Sequence, residues 1–131
     1  MKITVDTNVL VRATVRDDAD QARAAERCLR EAETIAVTMP VLCEFVWVLR
    51  RLYDFPIRDI AAAIRALVAA GTVSTNRPAV EAGLAILEAG GDFADGIIAY
   101  EGAWSGSDVF VSFDRQAVKL LQEQGVAARQ P

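Results

Sequence analysis

The sequence predicts an α/β fold in which a parallel sheet carries helices on both faces. Short apolar segments, such as residues 2–6, 34–38 and 109–113, alternate with longer segments whose apolar residues recur at helical spacing. Strands separated by helices pair in parallel, because each helix returns the chain to the same end of the sheet. No linker, low-complexity segment or internal repeat is visible, so we expect a single domain over residues 1–131.

The individual elements follow from apolar spacing and from residues that begin or end helices. Alanines at helical spacing predict a helix over residues 18–32, and Pro40 suits the first turn of the next helix. Pro56 and Gly71 bracket a further helix, and Gly125 ends the last one. The predicted strands are 2–6, 34–38, 72–74, 109–113 and 126–128. The predicted helices are 18–32, 40–53, the segment between Pro56 and Gly71, 78–89, 92–104 and 115–124.

The composition indicates a compact protein in a reducing compartment. The chain is 53% hydrophobic, yet it has no apolar run near the ~18 residues that a membrane helix needs. The N-terminal segment reaches Asp6 too early for a signal peptide, which predicts a cytoplasmic protein. Cys28 and Cys43 each lie in an apolar helical pattern, so we interpret them as small core residues.

The absence of histidine excludes several mechanisms. A Ser-His-Asp triad, a Cys-His pair and an HExxH zinc site all require it. Neither glycine-rich phosphate-binding motif, GxxxxGK[ST] or GxGxxG, occurs in the chain. The net charge of −4 argues mildly against a nucleic-acid partner, but acids gathered around a metal would invert the local charge.

Four acidic residues stand at positions that a folded chain normally keeps apolar. Asp6 and Asp114 end apolar strands, Glu44 is the only charge within the apolar segment 39–49, and Asp95 directly precedes another apolar run. A partly buried carboxylate without a partner is costly unless a cation or hydrogen-bond donors compensate. Four such groups without histidine predict a hard divalent metal as their shared partner.

Each acid also has a structural interpretation. Asp6 suits an Asx-turn or a helix N-cap, and Asp114 suits the N-cap of helix 115–124. Asp92 suits the N-cap of helix 92–104, with Asp95 three residues later. Glu44 has a candidate partner in an arginine two helical turns away. The case for a metal site therefore rests on the whole constellation.

The constellation resembles the PIN-domain proteins, and more narrowly the VapC-type toxin ribonucleases of type II toxin-antitoxin systems. Four segments carry the resemblance, in the order and at the spacing of that family, and together they extend over nearly the full chain. They are residues 5–12 (VDTNVLVR), 41–49 (VLCEFVWVL), 92–99 (DFADGIIA) and 112–115 (SFDR). One departure is Gly96, which stands where the family usually has alanine.

The resemblance implies a PIN-like three-layer α/β/α sandwich with a central, mainly parallel sheet, and a metal-dependent endoribonuclease. The expected metal is Mg²⁺ or Mn²⁺, and the expected partners are RNA, a cognate VapB-like antitoxin that inhibits the enzyme, and a second copy in a homodimer. The implied catalytic and metal-binding residues are Asp6, Glu44, Asp95 and Asp114, the supporting residues are Asn8, Asp92 and Ser112, and the candidate RNA-contacting residues are Arg12, Arg16 and Arg115.

Three other interpretations stay open. A PIN-type nuclease could process RNA without being a toxin, and a PIN-like scaffold could bind RNA or protein without cutting. A receiver-like phosphoacceptor domain also gathers aspartates at strand ends and binds Mg²⁺. It would need a lysine near the phosphate, and Lys119 lies inside a predicted helix.

Overall fold

Strands and helices alternate along the chain, which confirms the predicted α/β class. The computed structural model describes every residue from Met1 to Pro131. The strands are β1 (Lys2–Thr4), β2 (Thr34–Ala36), β3 (Val73–Ser74), β4 (Phe110–Val111) and β5 (Ala128–Arg129). The helices are α1 (Thr7–Val15), α2 (Ala19–Glu31), α3 (Met39–Arg51), α4 (Ile57–Ala69), α5 (Arg77–Glu88), α6 (Phe93–Trp104) and α7 (Arg115–Glu123).

All strand pairs are parallel, as predicted, and they lie in two compact units, Met1–Asn76 and Arg77–Pro131. The first unit has a sheet in the order β1-β2-β3, in which Ile35 stands opposite Ile3 on one side and Val73 on the other. The second unit pairs β4 with β5. None of the seven helices combines the length and the apolar composition that a membrane crossing requires.

Helix α1 is the element that the sequence pattern did not predict. Its residues include several β-branched side chains, which lower helix propensity. The helix forms because Asp6 caps its N-terminus and because Leu10 and Val11 are buried. It ends at Arg16, whose φ of 61° is left-handed and whose N–H donates to the Arg12 carbonyl. The same cap explains why β1 ends at Thr4 and not at Asp6.

Helix α3 is amphipathic, whereas its sequence suggested a helix buried all round. Leu42, Phe45 and Leu49 are buried, but Glu44 is exposed and Trp47 keeps 54% of its surface in solvent. An apolar stripe covers one face of a helix, and the remaining apolar residues point outward. The expectation that both cysteines lie in the core is also corrected, since Cys28 is exposed and Cys43 is partly buried.

The second unit is held together by a close approach of α5 and α6. A Cβ atom on Gly96 would lie 2.2 Å from the Ala82 carbonyl oxygen and 2.8 Å from the Gly83 Cα atom. Both neighbours are backbone atoms that a side-chain rotation cannot move away. Gly96, which from sequence alone only weakens the helix, is therefore required by the packing of two helices.

Gly96→Ala tests this contact. Alanine favours the helix by up to about 1 kcal/mol, but overpacking typically costs about 1–3 kcal/mol, and more where backbone must shift. We expect the free energy of unfolding, measured by urea denaturation, to fall by about 2 kcal/mol.

The matched control is Gly102→Ala on the same helix. The nearest atom to a Cβ at this position is the Ser107 Oγ, at an ordinary 3.7 Å. This variant should gain up to about 1 kcal/mol from helix propensity alone. Equal changes in the two variants would show that the close approach of α5 and α6 is not what requires Gly96.

Candidate active site

Asp6 lies in the first unit, at the turn from β1 to α1. Its Oδ1 atom accepts a hydrogen bond of 2.8 Å from the Thr7 N–H, which makes it the N-cap of α1. Its side chain is exposed and forms no ion pair with any Lys or Arg. Asn8 follows in the first helical turn and is also exposed. The helix start therefore presents a carboxylate and an amide to solvent.

Glu44 lies on the exposed face of α3, also in the first unit. It forms no hydrogen bond or ion pair, so the candidate arginine partner is not used. The expectation that Glu44 is partly buried is wrong, because the apolar residues of α3 fill only the opposite face. An exposed glutamate carries a small desolvation cost, so burial no longer argues that it binds a cation.

Asp92 and Asp95 begin α6 in the second unit. Asp92 is the N-cap that the sequence predicts, and its Oδ1 atom accepts a hydrogen bond of 3.1 Å from the Ala94 N–H. Asp95 lies in the first turn, where its own N–H donates to the Asp92 carbonyl over 3.0 Å. Unlike the other candidate acids, Asp95 is partly buried.

Asp114 lies at the turn from β4 to α7 and is the N-cap of α7. Its Oδ1 atom accepts a hydrogen bond of 3.1 Å from the Ala117 N–H. The Ser112 hydroxyl accepts a hydrogen bond of 3.0 Å from the Asp114 N–H. The Ser112 N–H in turn donates to the Arg129 carbonyl over 3.1 Å. Ser112 therefore supports Asp114 by fixing its backbone.

Electrostatic repulsion links three of these acids. The pKa of Asp95 is raised to about 6, first by its partial burial and then by the negative charges of Asp92 and Asp114. A carboxylate repelled by two neighbouring carboxylates favours its neutral form unless a cation offsets their negative charge. The negative charges at the starts of α6 and α7 therefore act on the same carboxylate, that of Asp95.

The donor set fits a hard divalent cation. Asp6, Asp92 and Asp114 each use Oδ1 for a helix N–H, and the second carboxylate oxygen has no hydrogen-bond partner. Mg²⁺ and Mn²⁺ prefer such oxygen ligands. As the side chains are placed, no three acidic or cysteine residues stand close enough together to hold an ion. Within the second unit, Asp92, Asp95 and Asp114 are the residues whose chemistry could hold one.

The three candidate RNA-contacting arginines differ in their partners. Arg12 forms an ion pair of 2.5 Å with Asp17, whose carboxylate also accepts a hydrogen bond of 3.0 Å from the Tyr53 hydroxyl. Arg16 forms an ion pair with Glu26. Arg115 is exposed and unpaired. The sequence pattern did not predict the cluster of Arg12, Asp17 and Tyr53. Asp17 and Tyr53 lie 36 residues apart in the chain, and a local pattern carries no information about such a contact.

The raised pKa of Asp95 predicts a pH-dependent effect of Asp95→Asn on stability. The pKa is about 6 in the folded chain and about 3.9 in an unfolded one, so ionisation opposes folding. This cost is absent below about pH 4, grows as the pH rises, and is complete above about pH 6. The whole shift corresponds to about 3 kcal/mol, which solvent screening at a partly exposed group reduces to about 1 kcal/mol. In urea denaturation the variant should therefore gain about 1 kcal/mol at neutral pH and nothing near pH 4.

The control for this change is Asp59→Asn. Asp59 occupies the same first-turn position in α4, but its neighbour is Arg58, with 4.0 Å between the Arg58 Nε and the Asp59 Oδ1. Replacing it removes a favourable interaction with the helix dipole and relieves no repulsion. A gain at neutral pH in both variants would show that repulsion does not govern Asp95.

Comparison with known proteins identifies the family. The sequence profile described as the PIN domain matches residues 3–120, which include all four acids of the predicted catalytic set. A search of curated proteins gave no significant match. The α/β order, with parallel strands and seven helices, is consistent with a PIN-like fold. On the extent of this match, the chain belongs to the PIN domain family.

Proposed function

We propose that this protein is a metal-dependent endoribonuclease toxin that hydrolyses RNA phosphodiester bonds and is inhibited by a cognate VapB-like antitoxin. The observation that carries the proposal is the family match over residues 3–120, since PIN domains are generally Mg²⁺-dependent nucleases. Asp6, Glu44, Asp95 and Asp114 supply the acids that such a nuclease needs.

The acids would hold Mg²⁺ or Mn²⁺. When bound, the metal lowers the pKa of a water molecule and stabilises negative charge on the phosphate oxygens. The helix caps restrict the orientation of two proposed ligands, because one oxygen of Asp6 and one of Asp114 each accept a hydrogen bond from a backbone N–H. The other oxygen of each carboxylate is then oriented without a further entropic cost.

The electrostatics of the second unit support the need for a cation. Asp92 and Asp114 each repel the Asp95 carboxylate, and the same negative charges would repel an RNA phosphate. A bound divalent cation reverses the local charge and lets the phosphate approach. This accounts for nuclease activity in a chain with a net charge of −4 and no histidine.

The toxin role is supported by the four segments that resemble VapC-type proteins. Exposed apolar side chains on α3 bear on where a partner protein would bind. Trp47 keeps 54% of its surface in solvent, and Leu52, the C-cap of the helix, keeps 66%. No large hydrophobic residue of α4 is exposed to this degree. Of the two helices, α3 therefore leaves the larger apolar side chain in solvent, and we propose Trp47 as part of the homodimer or antitoxin contact.

Asp6→Asn tests the metal-dependent cleavage. Asparagine caps a helix as well as aspartate does, so the fold should persist while the charged ligand is lost. Loss of an outer-shell partner typically costs about 10- to 100-fold, so loss of a direct ligand should lower the cleavage rate at least about 100-fold. The assay is cleavage of a mixed RNA pool with Mg²⁺ or Mn²⁺ against excess EDTA.

The matched control for Asp6→Asn is Asp18→Asn. Asp18 is the N-cap of α2, and its Oδ1 atom accepts a hydrogen bond of 3.0 Å from the Gln21 N–H. The chemical change is identical, but Asp18 is outside the predicted set. Equal loss of activity in both variants would contradict a specific role for Asp6, and cleavage that survives EDTA would contradict metal dependence.

Growth of a bacterial host separates a toxin from a nuclease with another RNA-processing role. Induced expression of the unaltered chain should arrest growth, and so should the Asp18→Asn variant. The Asp6→Asn variant should leave growth normal, because the arrest requires cleavage. Normal growth on expression of a chain that cleaves RNA in vitro would reject the toxin role and retain the nuclease.

A further inference from the structure

Phe113 is exposed at a position where an aromatic ring has no structural reason to face water. The ring keeps 83% of its surface in solvent, although Phe is among the residues most often fully buried. It stands between Ser112 and Asp114, at the junction of β4 and α7. Exposure of this degree shows that Phe113 contributes little to the core. Packing therefore does not explain an aromatic side chain next to Asp114, a candidate metal ligand.

The backbone on both sides of Phe113 is held by hydrogen bonds. Before it, the Ser112 N–H donates to the Arg129 carbonyl of β5 over 3.1 Å. After it, the Asp114 N–H donates to the Ser112 hydroxyl over 3.0 Å, and the Asp114 side chain caps α7. The ring therefore projects from a fixed segment, and a ligand that stacks on it need not order a mobile loop.

The residues directly before and after Phe113 are polar or charged, and the nearest exposed apolar side chain along the chain is Val111, at 45%. Asp114 belongs to the set proposed to hold the metal, and Arg115 is an exposed, unpaired guanidinium at the first position of α7. Protein-binding hot spots are usually surrounded by contacts that exclude water. An aromatic face beside a free cation is instead typical of single-stranded nucleic-acid sites, where rings stack on bases and cations follow the backbone.

We propose that Phe113 is a substrate-binding residue that stacks on a nucleobase of single-stranded RNA, with Arg115 contacting the neighbouring phosphate. The inference rests on the proposed nuclease function and adds a residue that the acidic set does not include. Stacking next to Asp114 places an unpaired nucleotide at the metal site. The stacking contact requires an unpaired base, since a base within a duplex offers no free face.

The test compares Phe113→Leu and Phe113→Tyr in steady-state cleavage of single-stranded RNA. Leucine keeps apolar volume but removes the π-face, whereas tyrosine keeps the face. Stacking on one base accounts for an affinity change of about 5- to 150-fold. We expect KM to rise by about tenfold in Phe113→Leu with little change in kcat, and to return near its original value in Phe113→Tyr.

Trp104→Leu is the matched control. Trp104 has the same 83% exposure and lies in the same unit. It is the last residue of α6, nine residues or about 13.5 Å along the helix from Asp95. Its replacement should leave KM unchanged, and all three variants should keep the Tm of the unaltered chain. An equal rise of KM in Trp104→Leu and Phe113→Leu would overturn the proposal, because loss of any exposed aromatic would then suffice.

Two further outcomes separate failure of this inference from failure of the nuclease function. If the unaltered chain cleaves RNA and Phe113→Leu leaves KM unchanged but changes the oligomeric state in size-exclusion chromatography, Phe113 is a protein contact and the proposal is wrong. If the unaltered chain does not cleave, the nuclease function fails, and anisotropy with fluorescein-labelled oligouridylate and oligoadenylate in Ca²⁺ tests Phe113 separately. Equal RNA affinity of the unaltered chain and Phe113→Leu would then overturn the stacking role.

Discussion

Aspartate capping of helix N-termini is the interaction on which the candidate site depends. Asp6, Asp92 and Asp114 each accept a hydrogen bond from a backbone N–H at the start of α1, α6 and α7. A carboxylate at this position satisfies a backbone donor and lies at the positive end of the helix dipole. Each acid thus stabilises the helix that follows it and keeps one oxygen for a ligand. The structural and the functional interpretations of these acids are therefore compatible, because a carboxylate has two oxygens.

The acids of the second unit also show electrostatic repulsion among carboxylates of the candidate site. Partial burial, and then the negative charges of Asp92 and Asp114, raise the pKa of Asp95 to about 6. Without a cation this arrangement opposes folding at neutral pH. The unit tolerates it because α5 and α6 pack closely through Gly96 and because its core is apolar. One cluster of that core comprises Ile86, Ala99, Val118, Leu120, Leu121 and Ala128.

Of the three exposed aromatic residues, Trp47, Trp104 and Phe113, two are proposed for different kinds of contact. Trp47 lies on α3, keeps 54% of its surface in solvent, and is proposed for a protein contact. Phe113 lies between polar and charged neighbours, which suits a nucleobase. The two residues proposed for substrate and for partner contacts lie in different units, Phe113 in the second and Trp47 in the first.

The sequence alone determined the α/β class, the parallel pairing of the strands, and the order of all helices and strands except α1. It also determined the helix caps at Asp92 and Asp114. These features follow from local periodicity and capping chemistry. It also supplied the acidic set, whose roles in catalysis stay predictions. Only the tertiary structure decided the rest. It formed α1 from residues of low helix propensity by burying Leu10 and Val11, turned Glu44 to solvent, and made Gly96 necessary. These outcomes depend on which face of each helix meets a neighbour, and that contact joins residues far apart in the chain, where a local pattern carries no information.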